Sequence, residues 1–223
     1  MTGTPGFELE FINEEFYTTR LVPERYDDLL SGGWRHFGTR FFRYNLAVFE
    51  GEIRRVIPLR IRLASSSLSK SQRRVLSKNS DLRVKIGPIQ ITGESAKLFD
   101  RHKLRFENDI PDSIYDFLSP EPDIIPLLGR ELAVYDHDRL IAVSYFDLGR
   151  RSASGIYAAF EPEESARGLG IFTMLKEIEF ATQIGCEFYY HGYAYEGRSF
   201  YDYKKRFRGI EAFDWHENWR PFK

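Results

Sequence analysis

The most constraining feature of this chain is a series of apolar strands around one long amphipathic helix in its second half. The segment RELAVYDHDRLIAVSYFDLG predicts a hairpin that turns at residues 136–138, and ASGIYAAFEP predicts the next strand. A helix follows over ESARGLGIFTMLKEIEFATQIG, because apolar residues recur on one face and Gly185 stops it. CEFYYHGYAY predicts a further strand. This order is typical of an α/β or α+β fold with a mixed central sheet flanked by helices.

The first half of the chain is richer in strands. VPERYDDLLSGG predicts a short helix that begins at Pro23 and stops at Gly32–Gly33. RFFRYNLAVFEGEIRRVIPLRIRL predicts two strands joined at Glu50–Gly51. ESAKLFDRHKLRF, DSIYDFL and SFYDYKKRF have helical patterns, and IEAFDW predicts a final strand. We therefore predict a strand-rich N-terminal portion over residues 1–90 and a second domain over residues 91–223.

The composition excludes several classes of protein. Cys186 is the one cysteine among 223 residues, so the chain has neither an internal disulfide nor a cysteine cluster for a metal. We expect Cys186 to pack in the core and not to act as a nucleophile. The opening MTGTPGFELEFINEEF lacks the pattern of a signal peptide, and no apolar run approaches the roughly 18 residues of a membrane span. These features predict a soluble, cytoplasmic protein with no membrane contact and no metal.

A basic segment interrupts a chain that is otherwise close to neutral. The formal net charge is −1, yet residues 52–85 contain ten Lys and Arg against two acidic residues. Within this segment SKSQRRVLSKN predicts a helix with Ser69 as its N-cap, and DLRVKI predicts a strand. Arg73 and Arg74 on that helix suit the phosphates of a nucleic acid, but a solvated helix face also explains them.

A turn with two glycines opens the long helix of the second half. Gly168 and Gly170 lie in ARGLGIF, where the amides of a helix N-terminus could bind a phosphate. The alternative is a tight turn that allows the helix to pack closely on the sheet. The layout resembles the phosphate-binding loop of the GNAT acyltransferases, although Ser165 stands where that family has Gln or Arg.

The basic segment resembles a signature of the arginyl/leucyl-tRNA–protein transferases. That family has an Arg-Ile strand, a Ser-x-Ser-Gln-Arg-Arg-x-Leu-x-x-Asn helix and then Asp-Leu. The matching residues are Arg60, Ile61, Ser69, Ser71, Gln72, Arg73, Arg74, Leu76, Asn79, Asp81 and Leu82. A second family signature is matched by Ser154, Tyr157, Phe160, Glu161, Pro162, Leu169, Gly170, Tyr190, Gly192, Tyr193, Tyr203, Lys204 and Phe207. The resemblance runs from about residue 34 to residue 207.

The resemblance implies a GNAT-like acyltransferase fold and an enzyme that needs no cofactor. Such an enzyme moves an amino acid, arginine or leucine, from aminoacyl-tRNA to the N-terminal amine of a protein or peptide, often one that begins with Asp or Glu. The chain departs from the family in lacking the N-terminal cysteine cluster, in the residues at Phe200–Tyr201, and in having His191 at a usually aliphatic position. These departures leave the transferred amino acid and the acceptor open, and a small-molecule amine remains a candidate acceptor.

The residues of the two signatures define a candidate site. We predict catalytic roles for Glu161, Tyr157 and His191, with His191 as a base near neutral pH. We predict substrate binding by Arg60, Ser71, Gln72, Arg73, Arg74, Gly168, Gly170, Tyr190, Tyr193, Tyr203 and Lys204. Each has a structural alternative: core packing for the tyrosines, a hydrogen-bonded strand histidine, a turn carboxylate, or a solvated basic helix end for Lys204 and Lys205.

Two rival functions remain consistent with the sequence. Gly168-x-Gly170 would suit an acyl-CoA-dependent N-acyltransferase of the GNAT type, although Ser165 and the basic helix count against it. The missing cysteines would suit a non-catalytic protein that binds tRNA or peptides.

Overall fold

The computed structural model describes residues 10–107 and 110–222 of the chain. The prediction that the chain has no signal peptide was made from residues 1–16, of which residues 1–9 lie outside the described residues. The strands are β1 (Asn13–Tyr17), β2 (Arg35–Phe37), β3 (Arg40–Tyr44), β4 (Leu46–Phe49), β5 (Glu52–Arg62), β6 (Arg83–Gly87), β7 (Gly129–Asp136), β8 (Arg139–Leu148), β9 (Ser152–Phe160), β10 (Phe188–Tyr195), β11 (Ile210–Phe213) and β12 (Trp219–Pro221). The α-helices are α1 (Pro23–Ser31), α2 (Lys70–Lys78), α3 (Gly93–Lys103) and α4 (Leu169–Gln183).

A mixed sheet forms the centre of the fold. Its strands follow the order β12-β11-β5-β10-β9-β8-β7-β6, with β4 paired to the outer half of β5. Only β9 and β10 among these neighbours run parallel, because α4 connects them by a crossover. A second sheet has three strands in the order β1-β3-β2. The predicted α+β architecture, a mixed central sheet flanked by helices with a strand-rich N-terminal part, is confirmed.

Helices cover both faces of the central sheet. Tyr189 of β10 packs in one core cluster with Phe172 and Leu175 of α4. The next residue, Tyr190, packs in another cluster with Tyr26 of α1 and Phe41 of β3. Successive strand residues point to opposite faces, so α4 lies on one side of β10 and α1 with the small sheet on the other.

Most of the predicted elements are present, and the differences have local causes. Glu50 and Gly51 both have positive φ and close the hairpin between β4 and β5. The strand predicted before this turn is divided at Asn45, whose side chain hydrogen-bonds the backbone of Glu10 and Ile12. A strand, β12, follows the segment that was predicted to be last.

Two predicted helices are shorter than their patterns suggest. DSIYDFL forms only a 3-10 turn over Ile114–Asp116. The helix predicted from Glu164 onwards begins at Leu169, and Pro162–Arg167 forms a separate 3-10 helix. Gly168 separates the two with a φ of +69°, a left-handed conformation that ends one helix and begins the next.

The boundary predicted near residue 90 falls within the large sheet. β5 lies between β10 and β11, and β6 forms the edge next to β7. Residues on both sides of the boundary therefore build one sheet. In the part of the chain that the structure describes, no helix is long and apolar enough to cross a membrane.

Candidate active site

An opening between β9 and β10 is the central feature of the candidate site. The two strands pair only where Ser152–Ser154 faces Phe188–Tyr190. Just beyond this point each strand has a β-bulge. In β9, Ile156 is an extra residue in the pairing with β8, and in β10, His191 is an extra residue in the pairing with β5. Such β-bulges bend a strand away from its ladder, so the paired bulges separate β9 from β10.

Arg35 of β2 reaches into the base of this opening. Its guanidinium donates to the hydroxyl of Ser154 and to the carbonyl of Gly155 on β9, and lies 3.5 Å from the carbonyl of Tyr190 on β10. The residue is buried, with 9% of its surface exposed. Sequence reasoning missed Arg35, because nothing in its local pattern distinguishes it from other arginines on short strands.

Lys204 approaches the opening from the 3-10 helix Phe200–Arg206. Its Nζ donates to the carbonyl of Tyr193 at 3.1 Å and lies 4.8 Å from the centre of the Tyr201 ring. Burial, and then the charge of Arg35, lower the pKa of Lys204 from 10.5 to about 7. A substantial fraction of Lys204 is therefore an uncharged amine at neutral pH.

His191 lies on the bulge of β10, and one of its ring nitrogens bonds to the backbone. Its Nε2 hydrogen-bonds the carbonyl of Lys204 at 3.0 Å, and Nδ1 has no hydrogen-bond partner among the described residues. Burial, and then the charge of Lys204, lower the pKa of His191 to about 3. The ring is neutral at physiological pH, and its bond to Lys204 positions the lysine-bearing segment against β10.

The three predicted site tyrosines have different surroundings. The hydroxyl of Tyr193 donates to the carbonyl of Gly33 at 2.7 Å, and that of Tyr190 accepts from Arg60 at 3.2 Å. Tyr157 stacks on Phe117 with ring centres 4.0 Å apart, and its hydroxyl has no partner among the described residues. Of the three, Tyr157 alone has a hydroxyl without a hydrogen-bond partner among the described residues, and that oxygen is buried.

Arg60, predicted to bind substrate, is held in a structural contact. Its Nε donates to Glu211 at 2.7 Å, and its guanidinium lies between the rings of Phe188 at 3.9 Å and Trp219 at 4.4 Å. The match to the family signature therefore marks a buried ion pair that joins β5 to β11.

Glu161, predicted to be catalytic, is also occupied. Its carboxylate accepts from two nitrogens of Arg101, with the shortest distance 2.5 Å, and Arg139 lies 3.8 Å away. The side chain is 4% exposed. This arrangement anchors α3 to the end of β9.

The basic helix α2 lies beside the turn that opens α4. Nζ of Lys78 donates to the carbonyl of Ala166 at 2.6 Å, and the amide of Asn79 donates to the carbonyl of Arg167 at 3.0 Å. Arg73 and Arg74 are exposed on α2. The basic helix α2 and the glycine turn at Gly168, which the sequence analysis treated separately, are therefore neighbours in the fold.

Several residues of these motifs serve the local structure. Gln72 and Ser69 form a capping box, in which the Gln72 side chain accepts from the backbone of Ser69, and Ser71 contacts the Ser69 hydroxyl at 3.0 Å. A Cβ at Gly170 would lie 3.3 Å from the Phe160 ring, so this glycine allows close packing. Burial raises the pKa of Tyr203 to about 12, so its hydroxyl stays protonated.

Glu177 of α4 is a buried acid that the helical pattern concealed. Its carboxyl accepts a hydrogen bond of 2.5 Å from Tyr189, directly behind Gly155 of the opening. Burial raises the pKa of Glu177 from 4.5 to about 7. The ionised form of Glu177 is therefore unfavourable in the folded state. Glu179, two residues further along the same helix, is exposed.

We expect Glu177→Gln to stabilise the protein more at pH 8 than at pH 5. Between pH 4.5 and pH 7 the unfolded chain ionises this carboxyl and the folded chain does not, so its contribution to stability falls by about 3 kcal/mol as the pH rises. Urea unfolding at both pH values measures the difference between variant and wild type. Glu131, whose pKa is raised to about 7 by burial, affects both proteins equally.

The matched control is Glu179→Gln, since Glu179 is exposed on the same helix. Its stability difference from the wild type should be the same at both pH values. If the free energy of unfolding of Glu177→Gln differed from that of the wild type by the same amount at both pH values, the raised pKa of Glu177 would be contradicted.

The sequence matches the profile of a known protein family. The family described as "Arginine-tRNA-protein transferase, C terminus" matches residues 94–214, which include α3, β7–β10 and Lys204. The chain belongs to the aminoacyl-tRNA–protein transferase family. The predicted family is thereby confirmed, and with it the coarser prediction of an aminoacyl-tRNA-dependent transferase.

Curated relatives share this assignment. An aspartate/glutamate leucyltransferase from Stenotrophomonas maltophilia is 29% identical over 84% of this chain and 78% of its own length. One from Xanthomonas euvesicatoria pv. vesicatoria is 32% identical over 75% of this chain and 69% of its own length. These names specify leucine, so they do not support the prediction of an arginyltransferase.

Two solved structures share the fold at low sequence identity. The C-terminal domain of a protein assigned as a lysylphosphatidylglycerol synthetase from Agrobacterium fabrum is 16% identical, with a TM-score of 0.51 over 68% of this chain and 49% of that one. FemX is 11% identical, with a TM-score of 0.51 over 83% of this chain and 66% of its own.

Proposed function

We propose that this transferase moves leucine from leucyl-tRNA to the N-terminal amine of proteins that begin with Asp or Glu. The observation that carries the proposal is the opening between β9 and β10, where the pKa of Lys204 is lowered to about 7. The same chain carries the basic helix α2. The acceptor class and the amino acid follow the names of the curated relatives. The use of aminoacyl-tRNA also supports a cytoplasmic location.

The charges of the opening favour leucine over arginine. Arg35 is a cation there, and it would repel the guanidinium of an arginyl group. Glu161, a carboxylate of the second family signature, is already paired with Arg101. Tyr157, Phe117 and Phe99 form an aromatic cluster at the separated part of β9 that suits an aliphatic side chain.

The proposed chemistry is a direct attack of the acceptor amine on the ester. The uncharged amine of Lys204 takes one proton from the acceptor ammonium, and the freed amine attacks the carbonyl carbon. The C–N bond forms, the C–O bond to the ribose breaks, and the second nitrogen proton passes to the leaving ribose oxygen. Because the ester is already activated, holding donor and acceptor together supplies much of the rate enhancement.

The predicted site residues fall into three groups under this proposal. Arg73 and Arg74 of α2, with the Gly168 turn, hold the phosphates of the tRNA. Tyr157 and Lys204 contact the reacting groups. Arg60, Gln72, Glu161 and His191 have structural or positioning roles.

A transfer assay with labelled donors tests this function. Leucyl-tRNA, arginyl-tRNA and acetyl-CoA are each incubated with the protein and with peptides that begin with Asp, Glu, Asn or Ala. We expect label from leucyl-tRNA in the Asp and Glu peptides. Transfer from acetyl-CoA would establish the N-acyltransferase alternative, and tRNA binding without transfer would establish a non-catalytic protein. Transfer to a free small-molecule amine in preference to every peptide would change the acceptor class.

A further inference from the structure

A cavity of about 700 Å³ lies between α2 and α4, apart from the candidate active site. Arg35, Tyr157 and Lys204 are not among the residues that line it. Much of its wall consists of aliphatic side chains from α2, α4, β6 and the segments that precede α2 and β6: Leu68, Leu76, Leu82, Val84, Leu175 and Ile178. Cavities of about 300–1,000 Å³ with mainly apolar walls are the usual form of small-molecule sites.

The cavity reaches the surface at Leu68 and Arg208, both of which are exposed. Polar lining residues are exposed as well, namely Ser67, Ser80, Thr182 and Gln183. Leu175 of α4, in contrast, is buried in the wall. The cavity is therefore an apolar space with a polar mouth, which suits a ligand with an apolar body and a polar head.

The charges along the cavity favour an anion as that head. Its lining includes two cations, Lys176 and Arg208, and one carboxylate, Glu179. Nζ of Lys176 bonds to Glu179 at 2.7 Å, so these two charges balance each other. Arg208 contacts the hydroxyl of Ser67 at 3.4 Å, and within residues 10–107 and 110–222 no carboxylate lies at ion-pair distance from it. One positive charge at the mouth is therefore available to a ligand.

The walls favour an alkyl chain over a nucleobase as the apolar body. Proteins hold unpaired bases mainly by stacking them on aromatic side chains. The aromatic residues of the lining are Phe172 and Phe207, with only 1% and 8% of their surfaces exposed. Little of either ring is available for stacking, whereas an alkyl chain needs only apolar contact.

We infer that the cavity between α2 and α4 binds a single alkyl chain with an anionic head group, which lies at Arg208 and the hydroxyl of Ser67. A guanidinium can donate two parallel hydrogen bonds to a carboxylate or a phosphate. A fatty acid and an alkyl phosphate share this chemistry. The site is separate from the opening between β9 and β10, and it does not depend on the proposed transfer function.

Calorimetric titration with different head groups on one alkyl chain tests the inference. Decanoate, decyl phosphate, decanol and decyltrimethylammonium are each titrated below the concentration at which they form micelles. We expect one molecule of an anion per chain, bound at least about 10-fold more tightly than decanol, as for a hydrogen bond to a charged group. The tighter of the two anions identifies the head group. Failure of both anions to bind, or affinities no higher than that of decanol or the cation, would overturn the inference.

Two variants locate the ligand in the cavity. Arg208→Gln should weaken binding of the anions about 10-fold and leave that of decanol unchanged. Its matched control is Arg206→Gln, since Arg206 is exposed and does not line the cavity. Leu68→Trp places a larger side chain at the mouth and should weaken binding of both the anions and decanol. Anion binding that is unchanged in Arg208→Gln would overturn the inference, and because Arg208 is exposed this variant also serves if Leu68→Trp does not fold.

Competition excludes the other class of occupant. Adenosine monophosphate, as the probe for a nucleotide, should not displace decanoate. Its binding in place of decanoate, with higher affinity and with the same loss in Arg208→Gln, would assign the cavity to a nucleotide and overturn the inference. None of these measurements uses tRNA or an acceptor peptide, so a negative transfer assay leaves their outcome unaffected.

Discussion

Lys204→Met is expected to lower the kcat/KM for leucine transfer by about two to four orders of magnitude, the usual contribution of a general base. Methionine retains the length of the side chain and its contact with Tyr201, but it cannot accept a proton. Because burial already lowers the pKa of Lys204 to about 7, removal of the amine should not destabilise the fold at neutral pH. Thermal unfolding of the variant checks this point.

The pH profile gives this prediction its second measurement. In the wild type, kcat/KM should rise through about pH 7 as Lys204 loses its proton, because only the neutral amine acts as a base. In Lys204→Met that rise should disappear, leaving only the ionisation of the acceptor amine near pH 8.

Lys205→Met is the matched control for Lys204. Lys205 pairs with Asp202 at 2.7 Å and donates to the carbonyl of Gly197 at 2.8 Å, outside the opening. Its activity and its pH profile should stay close to those of the wild type. A Lys204→Met protein with near wild-type activity and an unchanged profile would remove Lys204 from the mechanism.

Replacement of Lys70, Arg73 and Arg74 by Gln is expected to weaken tRNA binding about 10- to 100-fold at moderate salt. These residues are exposed on α2, next to the turn that opens α4. Each phosphate that the protein no longer neutralises should reduce the slope of log affinity against log salt by roughly one. Glutamine is a good helix former, and the Ser69–Gln72 capping box is retained, so α2 should persist.

The control is a second variant in which three other positive charges are removed. Arg25, Lys97 and Arg150 are exposed at other places in the fold, and their replacement by Gln should leave the salt slope unchanged. Single-turnover transfer at saturating tRNA should be similar in the α2 variant and the wild type, since the proposed function gives α2 a role in holding the donor and none at the reacting atoms. A salt slope in the α2 variant equal to that of the wild type would identify the charges as a solvated helix face.

Local sequence signals identified several elements correctly. SKSQ at residues 69–72 predicted the start of α2, and the capping box is present. The hairpin of β7 and β8 turns where it was expected, with His137 at a φ of +53°. These features depend on neighbours within a few residues, and for that reason the local sequence was enough to find them.

The sequence was less informative about individual roles in the site. Glu161 and Arg60 match family positions, but their partners Arg101 and Glu211 lie 60 and 151 residues away along the chain. Sequence spacing alone does not show that such charges are already neutralised. The ion pair of Glu161 with Arg101 became visible only in the folded structure.

The amino-acid sequence by itself determined the family, the order of the strands and α-helices from β5 to β11, and the basic character of α2. Only the tertiary structure decided where the candidate chemistry lies, because the opening depends on two bulges in strands that are distant in sequence. It also brought Arg35 next to Lys204, 169 residues later in the chain. Burial and the mutual repulsion of these cations arise only when the chain has folded. They lower the pKa of Lys204 to about 7.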